Sequence, residues 1–192
     1  MHLMPYNAES IVTILGLDPG TNNLGLAWIS FDAVTLQIVR TQSLLLTADK
    51  MSPSPWYAEI HCDRHSRLKT LQQNILQVLH YVNPVCVVTE SPFFNALRPN
   101  AYQALIETIE MIRHAVSMFD VYKSLNYIDP PSVKRAVGGA GNAKKEEVQR
   151  RVLMIDELNY QGQTPLGSLD EHSIDAIAVA YSKLIEFRRN RL

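Results

Sequence analysis

The run ILGLDPGTNNLGLAW, residues 14–28, constrains the fold more than any other part of the chain. Two apolar segments, TILGL and LGLAWIS, flank a Pro-Gly-Thr-Asn-Asn turn, and the pattern predicts two strands folded back on one another. Asp18 is the last residue before the turn. A carboxylate in that frame is exposed at a strand end yet held rigidly, which is how a metal-binding or phosphate-facing group must be presented.

The segments that follow extend the sheet. LQIVRTQSLLL reads as a third strand, which makes an antiparallel meander the natural start. The stretch 49–65, opening on MSPSPW, predicts a loop or flap. From Ser66, the residues Leu68, Leu71, Ile75, Val78 and Val82 recur at helical spacing until Asn83-Pro84 ends the pattern. VCVVTE is too short for a helix and typical of a strand buried on both faces. Asn100 is placed to cap a helix whose inner stripe is Leu105, Ile109, Ile112 and Val116, and VYKSLNYI is the fifth strand. Pro130-Pro131-Ser132 starts a short helix at Val133; after the turn GGAGN a helix runs from about Ala143 to Leu158. A loop over 159–168 leads to a final helix from about Asp170 to Phe187, with Ile174, Ile177, Ala178, Tyr181 and Leu184 facing inward. This order predicts an α/β fold: a mixed five-stranded sheet, three antiparallel strands and then parallel ones, with helices on both faces. That is the ribonuclease-H-like arrangement. Actin-like ATPases and sugar kinases share this core and open on a similar strand-Asp-turn-strand unit that holds nucleotide phosphate, so architecture alone does not choose between them.

With 192 residues and 46% hydrophobic side chains, the chain fits one domain, its core spanning about 12–187. Cys62 and Cys86 support neither a disulfide framework nor a four-ligand zinc site. The N-terminus lacks a basic region followed by an apolar stretch, and no apolar run is long enough to span a bilayer, so a soluble, cytoplasmic protein without membrane association is expected. The net charge of -1 does not announce a nucleic-acid binder, yet the charges are uneven. Lys134, Arg135, Lys144, Lys145, Arg150 and Arg151 face only Glu146 and Glu147 within 133–151. Arg64, Arg67 and Lys69, with His61 and His65, form a weaker second cluster.

Glu90 ends VCVVTE as Asp18 ends the first strand, and adjacent central strands would set the two carboxylates side by side. The last helix offers His172 and Asp175 on one face, with Glu171 as the alternative to His172. Hard oxygen and imidazole donors from three separate segments, at element ends of one architecture, suit two Mg²⁺ or Mn²⁺ ions acting on a phosphodiester. Clustered carboxylates also repel, so without metal at least one should hold its proton unusually well.

Taken in order, ILGLDPGTNNLGLAW, SRLKTLQQNIL, VVTESPFF, PSVKRAVGGAGNAKKEEVQ and LDEHSIDAIAVAYS resemble the RuvC-like Holliday-junction resolvases over roughly residues 12–185. The resemblance implies a homodimeric, metal-dependent endonuclease that nicks a four-way DNA junction in pairs, and it makes Asp18, Glu90, His172 and Asp175 the metal site. It likewise implies that Phe93 approaches unpaired bases and that Lys134 and Lys145, with Arg135 and Lys144 beside them, lie near the scissile phosphate. Position 172 is Asp in many members, so His172 removes one negative charge, and the Pro-rich stretch 49–60 also departs from the typical bacterial pattern. Two alternatives are a nuclease of the same type acting on flaps, replication forks or loops with the same metal site, and an inactive junction-binding protein, against which the presence of all four candidate ligands argues. The helix carrying Leu105 to Val116 is a candidate dimer interface because Tyr102, Ile106, Met111 and Met118 add apolar surface to it.

Overall fold

The computed structural model describes residues 10–48, 55–92 and 99–191. Its sheet is built from β1 (Ile11–Asp18), β2 (Asn23–Asp32), β3 (Ile38–Thr47), β4 (Cys86–Glu90) and β5 (Leu125–Ile128). The strand order is β3-β2-β1-β4-β5. β1 pairs antiparallel with β2, β2 antiparallel with β3, and β1, β4 and β5 run parallel. The predicted mixed sheet is therefore the one observed, with helices on both faces.

Strand alternation divides the core into two layers. Leu15, Leu17, Leu24, Leu26, Trp28 and Val87 face helices α2 (Asp63–Val82) and α3 (Pro99–Phe119). Ile14, Ala27, Ile29 and Val88 face the other way, toward α4 (Pro130–Ala136), α5 (Lys145–Val152) and α6 (Glu171–Arg189). Asp18 and Glu90 lie at even spacing from Ile14 and Val88, so the pleat directs both toward the α6 layer.

Several local expectations change. The predicted loop over 49–65 is in part helical: α1 (Pro55–His61) precedes α2, which begins at Asp63 rather than Ser66. Pro55 opens α1, where its missing N–H costs nothing, and Cys62, at φ 66, breaks the helix before α2. On α2 the deeply buried line is Leu71, Ile75 and Leu79, while Leu68, Val78 and Val82 are only partly buried. Asn100 lies inside α3 instead of capping it, and Met111, expected to add outer surface to that helix, is buried within the fold. β5 is confined to the end of VYKSLNYI, because Val121 and Tyr122 form an exposed turn. The helix expected to reach Leu158 stops at Val152, and a separate 3₁₀ turn, Asp156–Leu158, follows. Within the predicted loop 159–168, Tyr160 bridges to Thr41 on the edge strand β3. Among the described residues no helix is long and apolar enough to cross a membrane.

Candidate active site

Two close approaches bring α6 onto the sheet. Gly16 on β1 lies under α6 so tightly that a Cβ there would stand 2.5 Å from the Ala180 nitrogen and 2.6 Å from the Ala176 oxygen. Gly25, the partner of Asp18 across the β1–β2 ladder, lies closer still beneath the His172 carbonyl, where a Cβ would stand 2.1 Å from the oxygen. With no side chains to hold it off, the helix settles directly over β1 and β2. The signal was the pair of glycines within ILGLDPGTNNLGLAW, which sequence reasoning passed over: a glycine inside a strand often marks backbone approaching backbone.

Asp170 caps α6, its Oδ1 accepting from the Ser173 amide at 3.0 Å and its Oδ2 from the Ser173 hydroxyl at 2.6 Å. This occupies Asp170 and orients the first turn so that His172 and Asp175 come over the end of β1. His172 Nδ1 lies 2.7 Å from Asp18 Oδ2. In β4, the parallel register ends at Leu17 opposite Thr89, whose hydroxyl donates to the Leu17 carbonyl at 3.2 Å. Carrying that register one residue further sets Glu90 beside Asp18.

Asp18, Glu90 and Asp175 line one cleft of about 350 Å³, together with Lys134 and Lys145. Pro130, Val133, Val148 and Ala178 complete its wall. Lys134 is brought there by α4, which Asp129 caps by accepting from the Ser132 amide at 2.9 Å with Pro130 in the first turn. Lys145 opens α5, and its ammonium lies 2.9 Å from Asp175 and 3.2 Å from Glu171.

The placement separates the basic residues named from sequence. Arg135 is exposed, donating to the Ser132 hydroxyl at 2.9 Å and lying 3.8 Å from Asp129. Lys144 lines a separate shallow surface with Glu146, Glu147 and Arg150. His172 meets the carboxylate cluster through Asp18, and Glu171 is turned toward Lys145. Phe93 lies outside the described residues.

The electrostatics follow from crowding negative charge in a half-closed cleft. Burial first, then the charges of Asp18 and Asp175, push Glu90 up to about 7, with Lys134 and Lys145 only partly offsetting them. Asp175 is raised as well, again chiefly by burial; the Lys145 hydrogen bond opposes this while Asp18 adds to it. At Lys145, partial burial works against the ammonium, but bonds to Asp175 and Glu171 outweigh it and hold the pKa above the ordinary lysine value.

Among the described residues, no three His, Cys, Asp or Glu side chains stand close enough together to hold a metal ion as placed. The donor chemistry nevertheless fits a divalent cation. The cleft presents hard carboxylate oxygens, and burial together with the charges of Asp18 and Asp175 pushes one of them, Glu90, up to about 7, a penalty that a bound cation would relieve. Lys145 is the internal partner of Asp175, a position an incoming cation would take over, and His172 stands against Asp18 as a nitrogen donor beside the carboxylates.

A five-stranded mixed sheet with carboxylates at the ends of β1 and β4 and at the start of α6 defines a ribonuclease-H-like fold. The same fold is found in Thermus thermophilus RuvC in complex with Holliday junction substrate, with TM-score 0.69, 24% identity and coverage of 93% of this chain and 96% of that one. It is found too in the yeast mitochondrial Holliday junction resolvase, with TM-score 0.60, 14% identity and coverage of 93% and 82%. The profile of the crossover junction endodeoxyribonuclease RuvC family matches residues 14–183, and the chain belongs to that family. Among curated relatives, the crossover junction endodeoxyribonuclease RuvC of Thermus thermophilus is 27% identical over 169 residues, 88% of this chain and 91% of the relative. The enzyme of the same name from Dehalococcoides mccartyi is 27% identical over 172 residues, 87% of this chain and 88% of the relative.

Proposed function

We propose that this protein resolves four-way DNA junctions, acting as a homodimer of single nuclease domains that nick opposed strands by metal-dependent hydrolysis. The observation that carries the reading is one cleft lined by Asp18, Glu90 and Asp175 together with the cations Lys134 and Lys145. A carboxylate cluster alone would repel a phosphodiester, and a basic groove alone would hold it without cutting.

Asp18, Glu90, Asp175 and His172 would hold the metal. Two Mg²⁺ ions, for which Mn²⁺ can substitute, would lower the pKa of the attacking water and neutralise charge on the phosphate and the leaving 3′ oxygen. The chain's own groups do the rest. Lys134 and Lys145 position the backbone by its phosphates and read no bases. Asp170, by fixing the first turn of α6, holds His172 and Asp175 over β1. Water adds to phosphorus, the bond to the 3′ oxygen breaks, and that oxygen takes up a proton, leaving a 5′ phosphate and a 3′ hydroxyl. A four-way junction has near two-fold symmetry, so a two-fold dimer with one cleft per protomer meets both scissile strands. Met118, 56% exposed on α3, is available to such an interface.

The test is end-labelled four-way junction incubated with wild type and Asp18→Asn in Mg²⁺, with three-way and flap DNA beside it. Symmetric nicks on opposed strands of the four-way junction are expected from wild type alone. Equal cutting of flaps would assign the protein a broader branched-DNA activity, and cutting by Asp18→Asn would remove the site.

A further inference from the structure

Helix α1 carries Trp56 and Ile60, one turn apart on one side of the helix and 73% and 74% exposed. Two large apolar groups left adjacent in solvent mark a surface that meets something. Topology fixes where that surface sits. β1 runs toward Asp18, β2 away from it and β3 toward it again, with Thr47 opposite Asn23 and the Ala48 amide donating to the Asn22 carbonyl at 2.8 Å. The chain therefore leaves β3 beside the turn that follows Asp18 and passes next into α1. α2 starts at this same end of the sheet. Its last residue lies about 30 Å further on, at 1.5 Å of rise per residue, where Val85 N–H donates to the Thr13 carbonyl near the start of β1.

The first turns of α2 carry Arg64, Arg67 and Lys69 against Asp63, a balance of the sign that DNA requires. Arg64 lies 2.6 Å from Glu107 on α3, which ties this corner to the helix that follows β4 and Glu90, and its side chain stays 43% exposed. Arg67, one turn further along α2, is part-exposed. A guanidinium at this end of the fold is a fork of donors that a phosphate would satisfy.

We infer that α1 and the start of α2 form a second DNA contact, in which Trp56 stacks on a base exposed where junction arms part and Arg64 and Arg67 engage phosphates of the same arm. The inference rests on the junction-resolvase reading. Stacking on indole is indifferent to sequence because every base has a π face, and interleaved aromatic and basic groups are the usual makings of a single-strand platform. Ile60 extends the apolar side of the platform along the helix.

The chain has two tryptophans, and the other, Trp28, is buried with its indole N–H donating to Gln42 at 3.1 Å. Both indoles emit, but a change in emission on adding DNA reports on the exposed Trp56. Titrating the full chain with four-way junction in EDTA should quench wild-type emission. Trp56→Ala should bind roughly ten- to a hundredfold more weakly with an unchanged melting temperature, and Trp56→Phe should recover most of the loss. Arg67→Met should lower the slope of log affinity against log salt by about 1. Unquenched wild-type emission, or Trp56→Ala binding as tightly as wild type, would overturn the contact, and a protein partner on this face would give that second result. If wild type binds and resolves junctions while Trp56→Ala matches it, only the α1 contact fails; if wild type binds no junction, the functional reading fails and the contact with it.

Discussion

The backbone of Gly25 lies so close beneath the carbonyl of His172 that a methyl group on residue 25 would overlap it. Gly25 is also the cross-strand partner of Asp18, so one contact joins the strand end that carries the first carboxylate to the helix turn that carries the imidazole. Gly25→Ala should cost about 1–3 kcal/mol in urea denaturation, the usual penalty for overpacking, and should weaken divalent-cation binding by displacing His172 from Asp18. Thr21→Ala, in the turn outside this contact, should do neither.

Asp18→Asn should keep the fold and junction binding but lower the rate of cleavage by at least about 10²-fold, the scale seen when one group that stabilises transition-state charge is removed. Single-turnover cleavage of labelled junction, with a gel-shift measurement in Ca²⁺ alongside, separates the two effects.

Glu90 gives the metal-free protein a particular pH dependence. Below its ordinary value of 4.5 the carboxyl is protonated whether the chain is folded or not, and it contributes nothing to the slope. Between 4.5 and about 7 the unfolded chain has released this proton while the folded protein retains it. Stability therefore falls as pH rises through that window, by up to roughly 3 kcal/mol, and levels off above it. Glu90→Gln should abolish this part of the slope, leaving the variant more stable than wild type at pH 8 in EDTA and equal to it at pH 4. Urea denaturation at both pH values checks the sign.

The same proton must leave when a cation binds. Mg²⁺ or Mn²⁺ affinity should climb as pH rises toward about 7 and flatten beyond it, and binding at pH 6 should release protons. Calorimetric titration in two buffers of different ionisation enthalpy measures the protons released; none at pH 6 would separate Glu90 from the metal.

Lys134 lines the cleft, whereas Arg135, its neighbour, is held by Ser132 and Asp129. Lys134→Met should weaken junction binding across sequences and reduce the salt slope by about 1, and Arg135→Met should leave the slope unchanged. Filter binding over a range of salt concentrations distinguishes them.

The sheet was readable because strands announce themselves locally. TILGL, LGLAWIS and VCVVTE are apolar runs bounded by turn residues, and the order of elements permits few ways of joining them. The acidic positions were readable for the same reason, since Asp18 and Glu90 each close such a run. Less legible was α1, whose Pro- and Ser-rich approach carries loop chemistry, and whose Trp56 and Ile60 contribute little to the core that would have betrayed a buried stripe. α5 was overextended because apolar residues continue past Val152 at helical spacing, although the backbone turns there to reach the 3₁₀ segment that sets Glu157 against Tyr181 and Arg188.

The sequence by itself determined which groups stand at the ends of strands and on the face of the last helix, because periodicities of two and 3.6 are properties of a single chain segment. Only the tertiary structure decided how those groups meet: Asp170 occupied as a helix cap, His172 turned to Asp18, Lys134 and Lys145 in the cleft, Arg135 and Lys144 outside it. Those outcomes depend on how closely α6 approaches β1 and β2, and that distance is set by glycines and small side chains on elements far apart in sequence, whose packing no local pattern records.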